Sequence, residues 1–354
     1  DYIEREQCRD CYAAEDGRDV RLAFQERRVI MEATVREYRP DVQLTEYFPL
    51  GRSLFGDELL PVIRAVHDLG GVACCSVREI LQGDISTAAN SNRAVDRRRY
   101  FDFHERSVAM LNENYDRLLV HGDPSLISLD MTVPSWILEM IRVPVTYTGY
   151  VSEELPDRSG CPDEIQDLLD GGGFVVTSVG AGGSAGRTGF THGGEAIDAA
   201  IAAWKLLAAS GRSGGRTMVI FAGAHGRHEE IRRIRDACGD GPFLVRPAAP
   251  DFLCWLQAAD LSISRAGYNT CTNILAVGVP AVLLPSRSNL DQDPRARIFA
   301  ERGMVATLFE HELTPDPLAT AMERGLSSCR EKPGVNLDGA GVTASLIQSI
   351  AGQS

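Results

Sequence analysis

The chain has 354 residues, with 49 Asp and Glu against 36 Lys and Arg and a formal charge of −13. This length suits two domains that each bury a core, and the acidic balance argues against nucleic acid or an anionic membrane as the main partner. No run of about 18 or more uncharged apolar residues occurs, which excludes a transmembrane helix, and no signal-peptide pattern follows Asp1.

The nine cysteines are odd in number and scattered, a usage that favours reduced thiols in a cytoplasmic enzyme over a disulfide framework. Cys8 and Cys11 have metal or redox spacing. No second pair or suitably placed histidine completes a tetrahedral set, so free thiols are the plainer reading. Cys74 and Cys75 lie in an apolar run, where cysteine acts as a small core residue.

Helix-like and strand-like segments alternate along the chain, the pattern of an α/β fold with parallel sheets. In the first half, helical periodicity covers 22–38, 58–69 and 97–114, and short apolar runs at 42–45, 72–76, 118–121 and 145–147 read as buried strands. The Pro, Gly and acid-rich stretch 153–162 reads as a linker. In the second half, strands are expected at 174–178, 217–221, 243–246, 261–264 and 281–284. Helices are expected there at 195–209, 229–238, 252–258 and 295–302.

Two strand ends carry phosphate-binding chemistry. After the strand 174–178 comes a glycine-rich loop that includes Gly182, Gly183 and Ser184. Glycines free backbone amides to curl around an oxyanion, and the dipole of a following helix adds about 0.3–1 kcal/mol. After the strand 261–264, Arg265, Ala266, Gly267, Tyr268, Asn269 and Thr270 open a second helix. Small residues there let a backbone approach a ligand, and Asn269 and Thr270 can cap the helix with its amides pointing outward. A single such loop is equally well a surface turn. Two at the carboxyl ends of neighbouring strands point to a pyrophosphate crevice. Downstream, Asp291 and Gln292 offer the carboxylate and amide that hold sugar hydroxyls, the alternative being a helix cap ahead of Asp293 and Pro294. Arg265 is either a nucleotide contact or a solvated strand-end charge.

Residues 248–308, with Ser264–Gly267, Gly278–Pro280 and Asp291–Gln292, resemble the donor-binding half of GT-B glycosyltransferases, above all the peptidoglycan N-acetylglucosaminyl transferase and a related bacterial group. Earlier stretches resemble that group too: Arg39–Asp41, Glu46–Arg52, Cys75–Leu81, Val120–Pro124 and Tyr147–Val151. The resemblance implies two Rossmann-like domains facing an interdomain cleft: residues 1–152 for the acceptor and 163–354 for the nucleotide sugar, with a terminal helix at 342–350 that can pack back. It further implies an inverting, metal-independent glycosyl transfer from a UDP- or dTDP-linked sugar, with no cofactor, to a small-molecule, lipid or glycan acceptor. The nucleoside would sit near Phe252 and Asn273.

Two departures from the resembled pattern stand out. The family opens with a strand and a histidine-bearing glycine-rich loop, and nothing before Leu22 reads as an apolar strand, so the amino-terminal domain is expected to lack its first strands. Glu46 and His121, each at a strand end, are the replacement catalytic candidates. Each also has a structural alternative: Glu46 paired with Arg52 or Arg78, His121 capping the turn at Gly122–Pro124. A nucleotide-sugar 2-epimerase of the same fold and a non-catalytic nucleotide-sugar-binding protein are the other readings. The second departure is Asn273, where the family carries a glutamate that binds both ribose hydroxyls. An amide offers a single accepting oxygen, which predicts relaxed nucleotide choice. Calorimetry should find UDP and dTDP of comparable affinity, whereas a strong UDP preference lost in Asn273→Ala would contradict this.

Overall fold

In a computed structural model, the structure describes residues 20–81, 94–179, 194–223, 228–248, 250–286 and 289–352. The chain divides into two units, one running to Val151 and resuming at Val335, the other spanning Ser152–Gly334.

The first unit is built on a parallel sheet of β1 (Val42–Glu46), β2 (Val72–Arg78), β3 (Arg117–His121) and β4 (Val145–Tyr147), adjacent in chain order. Residues 73–77 of β2 and 118–120 of β3 are buried without alternation, as expected of strands covered on both faces. Ahead of the terminal segment, the described α-helices of this unit are α1 (Val20–Tyr38), α2 (Gly56–Asp68), α3 (Ala94–Asn114) and α4 (Ser135–Met140). One sheet face packs on Ile63, Val108, Leu111 and Ile137 from α2, α3 and α4. The helix that closes the described chain, α12 (Gly339–Ala351), lays Leu346 and Ile350 against Cys74 and Leu119.

The terminal segment is pinned by backbone bonding. The Tyr150 amide donates to the Asn336 carbonyl at 2.8 Å, and the Asn336 amide donates to Asp123 Oδ2 at 2.7 Å. Gly149 makes this approach possible, because its φ is +90° and a Cβ there would lie 2.5 Å from Asn336 Cγ. The described residues 335–352 are therefore grouped with the first unit.

The second unit has a six-stranded parallel sheet of β5 (Phe174–Ser178), β6 (Thr217–Phe221), β7 (Phe243–Arg246), β8 (Leu261–Ser264), β9 (Ala281–Leu283) and β10 (Ala306–Thr307), in the spatial order β10-β9-β8-β5-β6-β7. The chain starts mid-sheet, winds outward through β6 and β7, then returns to β8 and winds the other way. This is the doubly wound Rossmann arrangement, whose direction reverses between β5 and β8. The strands are joined or flanked by α5 (Asp163–Asp170), α6 (Gly194–Ala209), α7 (His228–Cys238), α8 (Phe252–Ala258), α9 (Tyr268–Val277), α10 (Gln292–Glu301) and α11 (Pro315–Leu326). Trp204 of α6 and Met322 of α11 anchor the larger core, while Phe174, Phe221 and Trp255 form an edge-to-face aromatic cluster in a smaller one that includes α5 and α8.

Several elements escape the sequence pattern. Two-residue β10 is too short to show periodicity, α5 follows a linker-like composition, and α11 opens with Pro315 and Pro317 in its first turn, where a missing N–H is tolerated. The thiol expectation needs correction, since Cys161 and Cys254 form a disulfide across 93 residues, with Cα atoms 5.6 Å apart. Such a pair is set by the fold and is invisible in spacing. It ties the end of the linker-like stretch to α8. Cys8 and Cys11 lie outside the described residues. Among the described residues no helix is long and apolar enough to cross a membrane.

Gly278, which ends α9, and Gly303, which follows α10, both have left-handed φ, +71° and +70°. A Cβ at Gly278 would lie 2.9 Å from the Glu331 carbonyl oxygen, whereas at Gly303 it would meet nothing within 4 Å. Urea unfolding should therefore show Gly303→Ala costing about 1–2 kcal/mol, the left-handed penalty alone. Gly278→Ala should cost clearly more, and equal costs would contradict the close approach.

Candidate functional site

The carboxyl ends of β5 and β8 meet at the point where the winding reverses, with Ser178 and Ser264 as register partners. Residues 180–193, which include Gly182, Gly183 and Ser184, lie outside the described residues. Those that follow β8 lead directly into α9. Gly267 is its N-cap, with φ −67° and ψ 150° and no side-chain cap, and the Cys271 amide bonds the Gly267 carbonyl at 2.9 Å. The expectation that Asn269 and Thr270 cap this helix is corrected. The helix already begins at Tyr268, so both sit in its first turn, where backbone N–H groups have no carbonyl one turn back.

Gly267 has an ordinary φ, and among the described residues the nearest atom to a Cβ built there is Thr270 Oγ1 at 4.0 Å. Neither backbone conformation nor packing within the described chain requires a glycine at this position. Open space in front of a helix start is what an anion seat needs.

A buried cation fixes this turn. The Arg295 side chain is 0% exposed, and its Nη1 donates to the Ala266 carbonyl at 2.8 Å and to Asp291 Oδ2 at 2.8 Å. The guanidinium lies 5.8 Å from the centroid of the Tyr268 ring. One side chain thus ties the β8–α9 turn to the start of α10. Arg295 is missing from the sequence-based candidates, although its spacing of four from Asp291 was a usable signal.

The remaining candidates are distributed around this turn. Arg265 is buried and donates to the Leu284 carbonyl at 2.9 Å, so the solvated strand-end alternative does not hold. Burial lowers its pKa, opposed by Glu310 and by Glu195 in the first turn of α6. Gln292 is buried, and its Oε1 accepts the Ser286 amide at 3.0 Å, closing the loop before α10. That helix starts at Gln292 with Asp291 as an N-cap that makes no side-chain capping bond, so the cap alternative for Asp291 fails. Asn273 is 8% exposed within α9. Phe252 opens α8, 5.2 Å from the ring of Phe221.

In the first unit, β1, β2 and β3 end at Glu46, Arg78 and His121, so both sequence-derived catalytic candidates stand at one sheet edge. Glu46 pairs with Arg52 at 2.9 Å and Arg78 at 3.5 Å, and both guanidiniums lie 5.8 Å from the Tyr47 ring centroid. Tyr47 and Arg52 adopt left-handed φ, 69° and 52°, at positions where non-glycine residues carry strain of about 1–3 kcal/mol each. Each Glu46 pair is half exposed and worth roughly 0–1 kcal/mol. The first structural alternative for Glu46 is realised with both partners at once.

His121 does not cap the turn that follows it. Its Nδ1 lies 2.8 Å from Thr148 Oγ1, and that hydroxyl has the carbonyls of Gly149 and Val120 at 3.3 Å and 3.4 Å. A hydroxyl that donates to a carbonyl accepts from Nδ1–H, which leaves the Nε2 lone pair available as a base. Burial lowers the His121 pKa from its ordinary value, with Glu46 opposing and Arg78 assisting. Thr148 was not a candidate from sequence.

Residues 245–332 match the glycosyltransferase family 28 C-terminal domain. The UDP-N-acetylglucosamine--N-acetylmuramyl-(pentapeptide) pyrophosphoryl-undecaprenol N-acetylglucosamine transferase of Caulobacter vibrioides is 36% identical over 85 residues, which cover 23% of this chain and 24% of that relative. Among solved structures, Acinetobacter baumannii MurG superposes with a TM-score of 0.52 at 15% identity, covering 91% of this chain and 76% of that one. Glycosyltransferase VinC in complex with dTDP superposes with a TM-score of 0.51 at 16% identity, covering 92% and 76%. The chain has the two-domain α/β fold of GT-B glycosyltransferases. Within its second unit, residues 245–332 are similar to the family 28 C-terminal domain, and the matched segment spans about a quarter of the length of the curated relatives.

Removing the Arg295 guanidinium strands the Ala266 carbonyl and the Asp291 carboxylate. Breaking a buried ion pair from one side costs about 3–5 kcal/mol, and the low end applies because Asp291 is 29% exposed. Arg295→Met should lower stability by roughly 3 kcal/mol in urea, with Asp291→Asn less harmful, and a neutral Arg295→Met would contradict the tie.

Proposed function

We propose that the chain is an inverting, metal-independent glycosyltransferase whose second unit binds a nucleotide-diphosphate sugar and whose first unit provides the acceptor with a base. The observation that carries this reading is Gly267. It opens α9 at the strand reversal, within the matched family 28 segment, with no atom of the described residues closer than 4.0 Å to a Cβ built there.

On this reading the donor diphosphate rests against the first-turn amides of α9 and the glycine-rich stretch containing Gly182, Gly183 and Ser184, with the nucleoside toward Phe252 and Asn273. The sugar meets Asp291 and Gln292. Arg265 and Arg295 act behind the turn, holding its backbone in place. His121 Nε2 takes the proton as an acceptor hydroxyl or amine attacks the anomeric carbon. The bond from that carbon to the diphosphate oxygen breaks, and fixed amides and the helix dipole stabilise the departing charge. Glu46 orients Arg52 and Arg78 beside the base. VinC is solved in complex with dTDP, which is compatible with a donor choice between UDP and dTDP sugars.

A thermal-shift screen with UDP-N-acetylglucosamine and dTDP-glucose tests donor binding, since a ligand at about 100 times its Kd adds about 2.7 kcal/mol. A rise with one of these sugars is expected, and no response to either would contradict the proposal. His121→Ala should lower kcat by about 10²–10⁴-fold while leaving the donor-induced shift intact.

The pH dependence has a definite sign. His121 has a lowered pKa, so the neutral base persists below the ordinary value near 6.5, and kcat/KM should fall only as pH drops through that lowered value. Glu46 raises and Arg78 lowers this pKa. Glu46→Gln should therefore move the acid limb to lower pH and Arg78→Gln to higher pH. An acid limb that moves with neither variant would exclude His121 as the base.

A further inference from the structure

A cavity of about 570 Å³ opens at the opposite edge of the second unit's sheet. Ala281 and Ala306, the first residues of β9 and β10, line it together with Gly278 beyond the end of α9, Arg302 beyond α10 and Arg324 in the last turn of α11. The proposed donor turn lies at the other end of α9, which at 10 residues spans about 15 Å. The cavity is therefore separate from the site described above, and its volume falls in the range of small-molecule pockets.

Its chemistry is that of an amphiphile's receptor. Leu275, Val279, Met304 and Val305 supply apolar walls, while Arg302 and Arg324 line the same space. Both arginines are exposed, and among the described residues neither guanidinium has a hydrogen-bond or carboxylate partner. Among the described residues the only carboxylate lining the cavity is that of Glu331, whose backbone is spent against Gly278. Helix carboxyl ends attract cations, which offers a role for these arginines within the fold. However, the nearby carbonyls already have partners: Gly278 N–H on Ile274, Gly303 N–H on Ala300 and the Ser328 hydroxyl on Arg324. Two guanidinium forks over an apolar floor match a carboxylate or phosphate head carried on a hydrocarbon body.

We propose that this cavity binds a small amphiphilic anion, its carboxylate or phosphate held by Arg302 and Arg324 and its apolar body lying on Leu275, Val279, Met304 and Val305. Cys329 is an exposed free thiol in the lining and serves as a reporter position.

The test uses the full chain with Cys8→Ser and Cys11→Ser, bimane-labelled at Cys329, titrated with octanoate, octyl phosphate and octylammonium. Saturable fluorescence changes are expected with at least one of the two anions, the stronger response identifying the head group, and none with the ammonium. Hydrogen bonds to charged groups are among the stronger ones, so Arg302→Ala/Arg324→Ala should weaken binding by at least about tenfold. Both residues are exposed, and an unchanged melting temperature confirms that the variant folds. Ser328→Trp, at an exposed lining position, should abolish binding by filling the cavity. The proposal is overturned by no saturation with either anion, by equal binding of octylammonium, or by unchanged anion affinity in the double variant. None of these readouts depends on sugar transfer.

Discussion

The parallel pairing of β5 with β8 is the constraint on which the second unit depends. Because Ser178 and Ser264 are in register, the chain must leave two adjacent strand ends in opposite winding directions. Such a reversal opens a crevice beyond the carboxyl ends of the two strands. The buried runs of β5 and β8 enforce the register, since a one-residue slip would turn every side chain over. A helix then starts beside the crevice, and its first-turn amides give the crevice a charge preference.

Holding that turn still is a separate problem, and Arg295 solves it from beneath. A fully buried guanidinium is costly to desolvate, yet here it binds the Ala266 carbonyl, meets the Asp291 carboxylate and lies over Tyr268. The side chain is thus a strut between two loops, and Arg265 plays a similar part toward Leu284. In the first unit, Glu46 and Thr148 do comparable work around His121, one by charge and the other by fixing which ring nitrogen bears the proton.

Much of this was legible in the chain because strands covered on both faces read as unbroken apolar runs. Phe174–Ser178, Thr217–Phe221 and Leu261–Ser264 have the bounds that pattern gives, and the partly buried edge strands Val145–Tyr147 and Phe243–Arg246 have their expected bounds too. Elements whose stability comes from tertiary context were not legible: two-residue β10, proline-opened α11 and the disulfide between Cys161 and Cys254. The same division runs through the site. Gly267 announces itself by composition, and Glu46 and His121 by their places after apolar strands. The roles of Arg295 and Thr148 depend on which distant carbonyl or ring nitrogen the fold brings near, and no local pattern encodes that.

The account stands on a diphosphate resting at the start of α9. A crystal structure of the chain with UDP or dTDP bound tests this directly. Phosphate oxygens within hydrogen-bond distance of the amides of residues 268–270, in front of Gly267, are the expected result. A nucleotide bound elsewhere on the second unit, with that helix start still facing empty space, would contradict it.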